Sequence, residues 1–153
     1  SSAASDVYKR QEYIFIVKYH YLVSDKIDWT PYKGFVYTFD ETKDIAWLYL
    51  VSDMLITDYS SVMFDYSILN RPMLFFAYDL EDYKENLRGF YFDFVNDIPG
   101  PISRDTDQLI KDIKEYNEDS WKEKYKNYHD KFNGIDDGHA SQKVIDVIKK
   151  VSR

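Results

Sequence analysis

Two adjacent serines and an aspartate four residues further on are the side chains of this sequence best placed to do chemistry. Ser60 and Ser61 follow a short run of residues that favour a strand, 54–57, and Asp65 interrupts the apolar run that comes next. Because four residues span about one helical turn, we expect Ser61 and Asp65 on the same face of a helix. Hydroxyls at the start of a helix can donate to a phosphate, and a carboxylate beside them can orient a hydroxyl or accept from a ligand.

The same residues also have a purely structural interpretation. Thr57, Asp58 or Ser60 would then cap the helix that follows, and Asp65 would hydrogen-bond the first turn of that helix. The spacing alone leaves both interpretations open. No glycine-rich loop accompanies the serines, so neither a P-loop nor a dinucleotide fingerprint supports a nucleotide site.

His20 is the histidine of most interest, because it lies just beyond another apolar run, residues 13–19. If that run is a strand, the imidazole lies at the carboxyl end of this strand, just as the two serines lie at the carboxyl end of the predicted strand 54–57. His129 and His139 fall in charged or turn-like segments and predict no chemistry. No pair of histidines or carboxylates has metal-ligand spacing on one helix, so we expect neither a metal nor a cofactor.

The segments that would position these side chains alternate between strand and helix. Apolar runs with β-formers predict buried strands at 13–19, 35–39, 54–57 and 73–78. Helical spacing and caps predict helices at 41–52, 61–70, 105–116, 120–132 and 136–151, with an ordered loop over 79–102. This order is typical of βαβ units, so the expected class is α/β, a Rossmann-like parallel sheet with helices on both faces. Ligands of such sheets bind beyond the carboxyl ends of the strands, the edge that carries Ser60 and His20.

Composition excludes several classes of protein. The chain has 153 residues, 44% hydrophobic and 18% aromatic, which suits one domain with a real core. Its net charge of -7 argues against a general nucleic-acid or anionic-membrane surface, and the absence of cysteine excludes disulfides and thiolate chemistry. No apolar run approaches the ~20 residues of a membrane span. Residues 1–11 are small and polar, and we expect them to be a non-native leader to a domain formed by residues 12–153.

Several segments, taken together and in this order, carry a family resemblance: VKYHYLV, SDMLITDYSSVMFDYSILNRPMLFFAYDLEDY, RGFYFDF, PGPI and DDGHAS. They resemble the CDP-glycerol glycerophosphotransferase family of teichoic acid synthesis, over residues 13–151. The resemblance implies the GT-B architecture of two Rossmann-like halves, with this chain as most of the C-terminal, nucleotide-binding half. It also implies that residues 12–153 form a domain truncated at its N-terminus, with the N-terminal half of the enzyme absent.

The resemblance further implies roles for individual residues at the phosphates of the donor. His20 matches a histidine that approaches these phosphates, and it is the residue of this chain implied in catalysis. Ser60 and Ser61, at the strand end that Thr57 closes, match the hydroxyls at the pyrophosphate. Asp65 matches an acid on the following helix that engages the donor.

Three further positions are implied to bind the donor. The backbone near Val36 and Tyr37 corresponds to the place where such folds usually hold the base of the nucleotide. Arg88, in the segment RGFY, is a further candidate at the cleft between the two halves. All three are implied by the resemblance alone.

The implied reaction is attack by the terminal hydroxyl of an acceptor on the β-phosphorus of CDP-glycerol, with release of CMP. The expected partners are therefore CDP-glycerol, a polyglycerophosphate or lipid-linked acceptor and the absent N-terminal half, with no nucleic acid. The parent protein is expected to be cytoplasmic and peripheral at the inner face of the bacterial cell membrane. Because the family's catalytic base belongs to the N-terminal half, the isolated chain is expected to bind the donor and to be inactive.

Two other functions fit the same residues. One is a related transferase that uses a different donor, either CDP-ribitol or a nucleotide sugar. The other is a non-catalytic module that binds a nucleotide or a partner. Donor profiling of the parent protein separates the first from a glycerophosphotransferase, and a turnover assay with both halves present separates the second.

Overall fold

The computed structural model describes residues 13–20, 27–82 and 91–152 of the chain. Strands and helices alternate along most of this length, which confirms the expected α/β class. The predicted leader, residues 1–11, lies outside the described residues, and so does Arg88. The chain divides into two compact units, and each contains its own parallel sheet.

The first unit, Ser1–Ser52, is built on two parallel strands. Strand β1, Phe15–Val17, pairs with strand β2, Val36–Thr38. A 3-10 turn, Thr30–Tyr32, lies between them in sequence, and helix α1, Ile45–Val51, follows β2. The predicted strands at 13–19 and 35–39 are therefore present and parallel, although both are shorter than predicted.

Strand β1 is not buried, and this part of the prediction is wrong. Ile14 is 69% exposed, Phe15 39% and Ile16 36%. The run of β-formers predicts a strand correctly, because it reflects local backbone preference. Burial depends instead on what packs against the strand, and within the described residues of this unit the sheet has only two strands.

Asp40 is the N-cap expected for the predicted helix 41–52, but helix α1 begins later because Asp44 caps it instead. The carboxylate of Asp44 accepts from the N–H of Ala46 at 2.9 Å. Asp40 accepts instead from the N–H and the hydroxyl of Thr42, at 3.0 and 2.8 Å, and so closes a separate turn. Both aspartates are good caps by type, and only the backbone conformation selects between them.

The second unit, Asp53–Arg153, contains a three-stranded parallel sheet with β4 in its centre. Its strands are β3, Leu55–Thr57, β4, Met73–Phe76, and β5, Ile102–Ser103. The predicted strands at 54–57 and 73–78 are confirmed. All the predicted strands are parallel to their partners, but they are distributed over two sheets and not one.

Helices cover much of the second unit. Those in its described residues are α2, Val62–Ser67, α3, Leu80–Asp82, α4, Phe94–Asp97, α5, Thr106–Lys114, α6, Glu118–Phe132, and α7, Ala140–Val151. Helix α2 packs on β3 and on α6, and α5 packs on β4 and β5. The three long helices predicted in the second half of the chain are thus confirmed. No helix in the described part of the chain is long and apolar enough to cross a membrane.

The core of the second unit is largely aromatic. Phe75 of β4 and Phe94 of α4 are both buried and meet nearly at right angles, with ring centroids 5.6 Å apart. Phe64 of α2 stacks on Tyr128 of α6, with ring centroids 5.9 Å apart and planes 8° apart. Aromatic pairs add about 0.5–1.5 kcal/mol beyond the area that they bury. Aromatic rings therefore join β4 to α4 and α2 to α6.

Gly100 allows β5 to approach β4, and it explains the segment PGPI. A Cβ atom on Gly100 would lie 2.9 Å from the carbonyl carbon of Met73 and closer still to its oxygen. Next to this contact, the N–H of Phe75 donates to the carbonyl of Pro101 at 3.0 Å. Strand β5 and helix α4 both lie in or beside the predicted loop 79–102, and they are too short to give a periodic pattern.

Asn133 joins the end of α6 to α2 through buried hydrogen bonds. The hydroxyl of Ser67 donates to its Oδ1 at 2.7 Å, and its Nδ2 donates to the carbonyl of Phe64 at 3.0 Å. Ser67 is 2% exposed and Asn133 5% exposed, so water does not replace these bonds easily. The pair fixes the helix that carries Asp65.

Replacing Asn133 with alanine is expected to lower the free energy of unfolding of the second unit by about 2 kcal/mol, since it removes two buried hydrogen bonds, one from the hydroxyl of Ser67 and one to the carbonyl of Phe64. The measurement is the urea midpoint followed by circular dichroism. Asn127→Ala, at an exposed position of the same helix, is the matched control and should change stability by less than about 0.5 kcal/mol. Equal effects of the two substitutions would show that the buried bonds contribute nothing.

The three tryptophans of the chain lie outside this aromatic core. Trp29 of the first unit donates through Nε1 to the hydroxyl of Tyr19 at 2.6 Å. Trp47 of α1 is 67% exposed. Trp121 lies in α6 of the second unit, with the ammonium of Lys124 5.3 Å from its ring centroid. Each unit therefore has its own tryptophans.

Candidate functional site

In the first unit, the predicted residues Val36 and Tyr37 both lie in β2 but differ in what their backbone can do. On one side of Tyr37, the carbonyl of Phe35 accepts from the N–H of Phe15 in β1 at 2.9 Å. On the other side, the N–H of Phe39 donates to the carbonyl of Val17 in β1 at 2.8 Å. By the alternation of a parallel ladder, the polar backbone of Tyr37 also faces β1. Val36 and Thr38 therefore direct their N–H and C=O groups away from β1. Of the two predicted positions, Val36 is the one oriented to present its backbone to a ligand.

A cavity of about 420 Å³ lies beyond the carboxyl ends of β1 and β2. It is lined by Tyr19, Ile27, Thr38 and residues 39–42. This is the edge at which parallel sheets bind ligands. The hydroxyl of Tyr19 accepts from Trp29 and, at 3.2 Å, from the N–H of Ile27, which fixes one wall of the cavity.

A second wall of the cavity, formed by Thr38 and residues 40–42, is rich in hydrogen-bond acceptors that the sequence pattern does not predict. Asp40 and Glu41 supply carboxylates, and Thr38 and Thr42 supply hydroxyls. Hydrogen bonds from the backbone and side chain of Thr42 hold the pKa of Asp40 below its ordinary value, so this carboxyl is ionised at neutral pH. Such a wall suits a ligand with hydroxyl or amino donors. His20 is exposed, beyond the end of β1, and is not among the residues that line the cavity.

In the second unit, Thr57 ends β3, and the turn after it holds Ser60 in place. The carboxylate of Asp58 accepts from the N–H of Ser60 at 2.9 Å. The hydroxyl of Ser60 accepts from the N–H of Val62 at 3.5 Å, which is long for a hydrogen bond. Asp58 therefore closes the turn before the next helix and does not cap that helix, and Ser60 caps it only weakly.

Ser61 and Asp65 are not used in this way. Ser61 immediately precedes α2, and its side chain makes no capping hydrogen bond. Asp65 is exposed, and across the described ranges its carboxylate has no hydrogen bond to the first turn of α2. The structural interpretation of Asp65 is therefore wrong. Both side chains are open to solvent on one face of the helix.

Helix α2 has six residues, fewer than the predicted 61–70, so the partial charge at its N-terminus contributes less than expected. The chain then turns, and Asn70 adopts the predicted left-handed conformation, with φ of 51°. The hydroxyls of Ser60 and Ser61, more than the helix terminus, are what this end of α2 offers to an anion.

Tyr59 is a further residue at this edge that the sequence analysis does not single out. Its hydroxyl donates to the carboxylate of Asp79, in the loop after β4, at 2.8 Å. Burial, together with this acceptor, raises the pKa of Tyr59 well above its ordinary value, so the hydroxyl keeps its proton at neutral pH. The bond joins the loops that follow β3 and β4. The only local signal is an aromatic residue between the two polar turn residues Asp58 and Ser60.

A cation also stands at the carboxyl end of β5. Arg104 pairs with Glu81 at 3.0 Å, and both side chains are more than half exposed, so the pair contributes little to stability. Within the described residues, no group of three histidines or carboxylates could hold a metal ion. The structure thus groups Thr57, Ser60, Ser61 and Asp65 in one unit and His20, Val36 and Tyr37 in the other.

Comparison with known proteins places these residues in context. Residues 5–150 match a family described as CDP-glycerol:poly(glycerophosphate) glycerophosphotransferase. The chain is 46% identical over 141 residues to the teichoic acid poly(glycerol phosphate) polymerase of Bacillus subtilis (strain 168), covering 91% of this chain and 19% of that protein. It is 42% identical over 151 residues to the teichoic acid poly(ribitol-phosphate) polymerase of Bacillus spizizenii (strain ATCC 23059 / NRRL B-14472 / W23), covering 91% of this chain and 22% of that protein.

The fold is likewise similar to a solved structure. A variant of the wall teichoic acid polymerase TagF, soaked with CDPG, matches with a TM-score of 0.80 and 41% identity, over 95% of this chain and 37% of that chain. The chain spans about a fifth of the length of the two curated relatives above. The similarity therefore concerns one part of these larger proteins.

Proposed function

Because the chain belongs to the CDP-glycerol:poly(glycerophosphate) glycerophosphotransferase family, we propose that it is the donor-binding part of an enzyme that transfers glycerol phosphate from CDP-glycerol to a poly(glycerophosphate) acceptor. Such an enzyme serves the synthesis of teichoic acid or a related cell-surface polymer. The observation that carries the proposal is the exposed pair of Ser61 and Asp65, which no capping hydrogen bond occupies, at the carboxyl edge of a parallel sheet.

The cavity of the first unit is the proposed site of the cytidine. Its carboxylates, Asp40 and Glu41, can accept from ribose hydroxyls or from the amino group of the base. Val36 presents its backbone groups away from β1, where they can meet the polar edge of the base. Tyr37, with a half-exposed ring, offers an apolar surface beside the same strand.

The pyrophosphate is proposed to lie against Ser60 and Ser61, at the strand end closed by Thr57. Hydroxyl donors suit an anion, and His20 is proposed to donate a further hydrogen bond to the phosphates of the donor. Asp65 is proposed to accept from a hydroxyl of the glycerol. Arg88 is proposed as a further contact to the phosphates.

The proposed reaction joins the oxygen of the acceptor's terminal hydroxyl to the β-phosphorus of CDP-glycerol. The bond from that phosphorus to the bridging oxygen breaks, and CMP leaves with this oxygen. The residues of this chain would position the donor and stabilise the charge that develops on the leaving phosphate. The base that takes the proton of the acceptor is proposed to belong to the remainder of the parent enzyme.

We further propose that the parent protein works as a peripheral protein at the inner face of the cell membrane. The support is chemical, because a water-soluble nucleotide donor and a lipid-linked acceptor meet only at such a surface. Separation of membrane and soluble fractions of the producing cell tests this, before and after a high-salt wash that releases peripheral proteins.

A CDP-ribitol transferase is the second candidate function. The 42% identity to a poly(ribitol-phosphate) polymerase supports it, because this value is close to the 46% found with the glycerol-phosphate polymerase. Initial rates of CMP release by the parent protein, with CDP-glycerol and CDP-ribitol in turn, decide between the two. A preference for the ribitol donor would overturn the first candidate.

Replacing Ser61 with alanine in the parent protein is expected to lower turnover of CDP-glycerol about tenfold or more, since a charge-assisted hydrogen bond contributes roughly 1.5–3 kcal/mol. The melting temperature should not change, because Ser61 makes no capping bond. Steady-state rates of CMP release and a thermal melt provide the two measurements.

Ser141→Ala, at an exposed serine of α7, is the matched control and should leave both quantities unchanged. If Ser61→Ala lowers the melting temperature while its folded fraction turns over normally, Ser61 serves the helix and not the donor.

A further inference from the structure

We propose that Tyr59 is a positioning residue, whose hydrogen bond to Asp79 fixes the loop that presents Ser60 and Ser61. We name this bond the Tyr59–Asp79 latch. The inference rests on the proposed function of the two serines, but the existence of the latch can be tested without a ligand. Tyr59 itself is not proposed to touch the donor.

The side chain of Tyr59 is held at both its ring and its hydroxyl. Its ring meets Phe94 edge-on, with centroids 5.5 Å apart, and Phe94 in turn packs on Phe75 of the central strand β4. The hydroxyl donates to Asp79 at 2.8 Å. A side chain fixed at two points along its length restricts the backbone that carries it.

Asp79 is a suitable anchor, because its own segment is fixed. The next residue, Leu80, is 1% exposed and is part of the core. Glu81 pairs with Arg104, beyond β5, at 3.0 Å. The latch therefore connects the loop after β3 to the loop after β4. The latter is itself held by the core through Leu80 and by the segment after β5 through Arg104.

The loop after β3 divides its side chains between two tasks. Tyr59 contacts the core, while Asp58 accepts from the N–H of Ser60 and shapes the turn. Ser61 makes no such bond and depends on its neighbours for its position. Release of Tyr59 should therefore change the position of the serine hydroxyls more than it changes the fold.

The latch also affects the charge at this edge. Asp79 is a carboxylate near a loop that is proposed to meet a pyrophosphate. While the hydroxyl of Tyr59 donates to it, one of its oxygens is directed at protein and not at the ligand. Loss of the hydroxyl would leave this oxygen free to repel the donor's phosphates.

Amide hydrogen exchange of the 153-residue chain, read by NMR, tests the latch without a donor. In Tyr59→Phe, the amides of Ser60, Ser61 and Val62 should exchange about three to ten times faster, as expected for the loss of one hydrogen bond. The amide of Leu74, in the core strand β4, should not change.

Two further variants make this test specific. Tyr78→Phe removes a hydroxyl from an exposed tyrosine at the same edge and should leave every rate unchanged. Asp79→Asn keeps an oxygen acceptor for Tyr59 and should restore most of the protection that Asp79→Ala loses. Unchanged exchange in Tyr59→Phe, or a uniform rise that includes Leu74, would overturn the latch.

Ligand titrations then test its link to function. Tyr59→Phe should weaken the binding of CDP-glycerol about fivefold and leave the binding of cytidine unchanged, because only the former has phosphates to meet the serines. An equal loss for both ligands would overturn a positioning role. If the unmodified chain binds neither ligand, the proposed donor site fails, while the exchange rates still decide whether the latch exists.

Discussion

Replacing Gly100 with alanine is expected to prevent the second unit from folding. The added methyl group would stand 2.9 Å from the carbonyl carbon of Met73, and its nearest neighbour would be the carbonyl oxygen. The atoms that it meets are backbone, which cannot turn away as a side chain can. Overlap of this kind belongs to the mechanisms that cost more than about 4 kcal/mol, a large share of the stability of a domain.

Neither segment at this contact can move without further losses. Met73 begins strand β4, whose first three residues are buried, and its N–H donates to the buried hydroxyl of Tyr125 in α6. Beyond Gly100, the carbonyl of Pro101 accepts from Phe75. Separation of the two segments to admit a methyl group would break both sets of bonds.

Circular dichroism and the dispersion of the amide NMR spectrum measure the outcome. Gly138→Ala is the control, because Gly138 also lies in the second unit, has φ of 76° and has open space around its Cβ position. It should cost only about 1–2 kcal/mol, from the left-handed backbone alone. A cooperative, native-like melt of Gly100→Ala would show that the two backbone segments are not in contact.

The second expected result is that the 153-residue chain, on its own, binds CDP-glycerol weakly and releases no CMP. Transfer between two substrates requires both to be held in line. The roles proposed for the residues of this chain concern only the donor. If the remainder of the parent enzyme supplies part of the donor site, as proposed, the donor stays partly solvated on this chain alone. We expect a dissociation constant of about 1 mM, which corresponds to about 4 kcal/mol.

Calorimetric titration with CDP-glycerol, and an assay of CMP release with a soluble acceptor analogue, measure the two parts of this result. His20→Ala should weaken donor binding further, because it removes a proposed hydrogen-bond donor to the phosphates. The unmodified chain could instead release CMP continuously, and His20→Ala could abolish this release. That result would place the whole catalytic apparatus within this chain. If the chain does not bind the donor at all, the proposed donor site is wrong.

Most of the fold could be predicted from the sequence, because its elements are signalled locally. The apolar runs locate β3 and β4, and the caps Asp105 and Asn70 mark where α5 begins and where the turn after α2 ends. Local signals fail where the structure depends on distant contacts. Strand β5 has two residues, and it exists because the glycine before it allows the approach to β4.

The site was predictable in part, for a similar reason. Residue types and spacing select Ser61 and Asp65, but only coordinates show that neither forms the capping bonds that the alternative interpretation requires. The partner of Tyr59 lies 20 residues away, so no local pattern reveals it. The acceptor-rich wall of the cavity depends on a turn at Asp40 that the predicted helix would have removed.

The distribution of the tryptophans makes the two units separable by fluorescence. Trp29 and Trp47 belong to the first unit, and Trp121 belongs to the second. Since the emission of an indole shifts to longer wavelength as water reaches it, the exposed Trp47 already contributes at the red edge of the native spectrum. In a protein in which phenylalanine replaces Trp29 and Trp47, the tryptophan emission comes from the second unit alone. This emission then follows the unfolding of helix α6, with no indole contribution from the unit that holds the cavity.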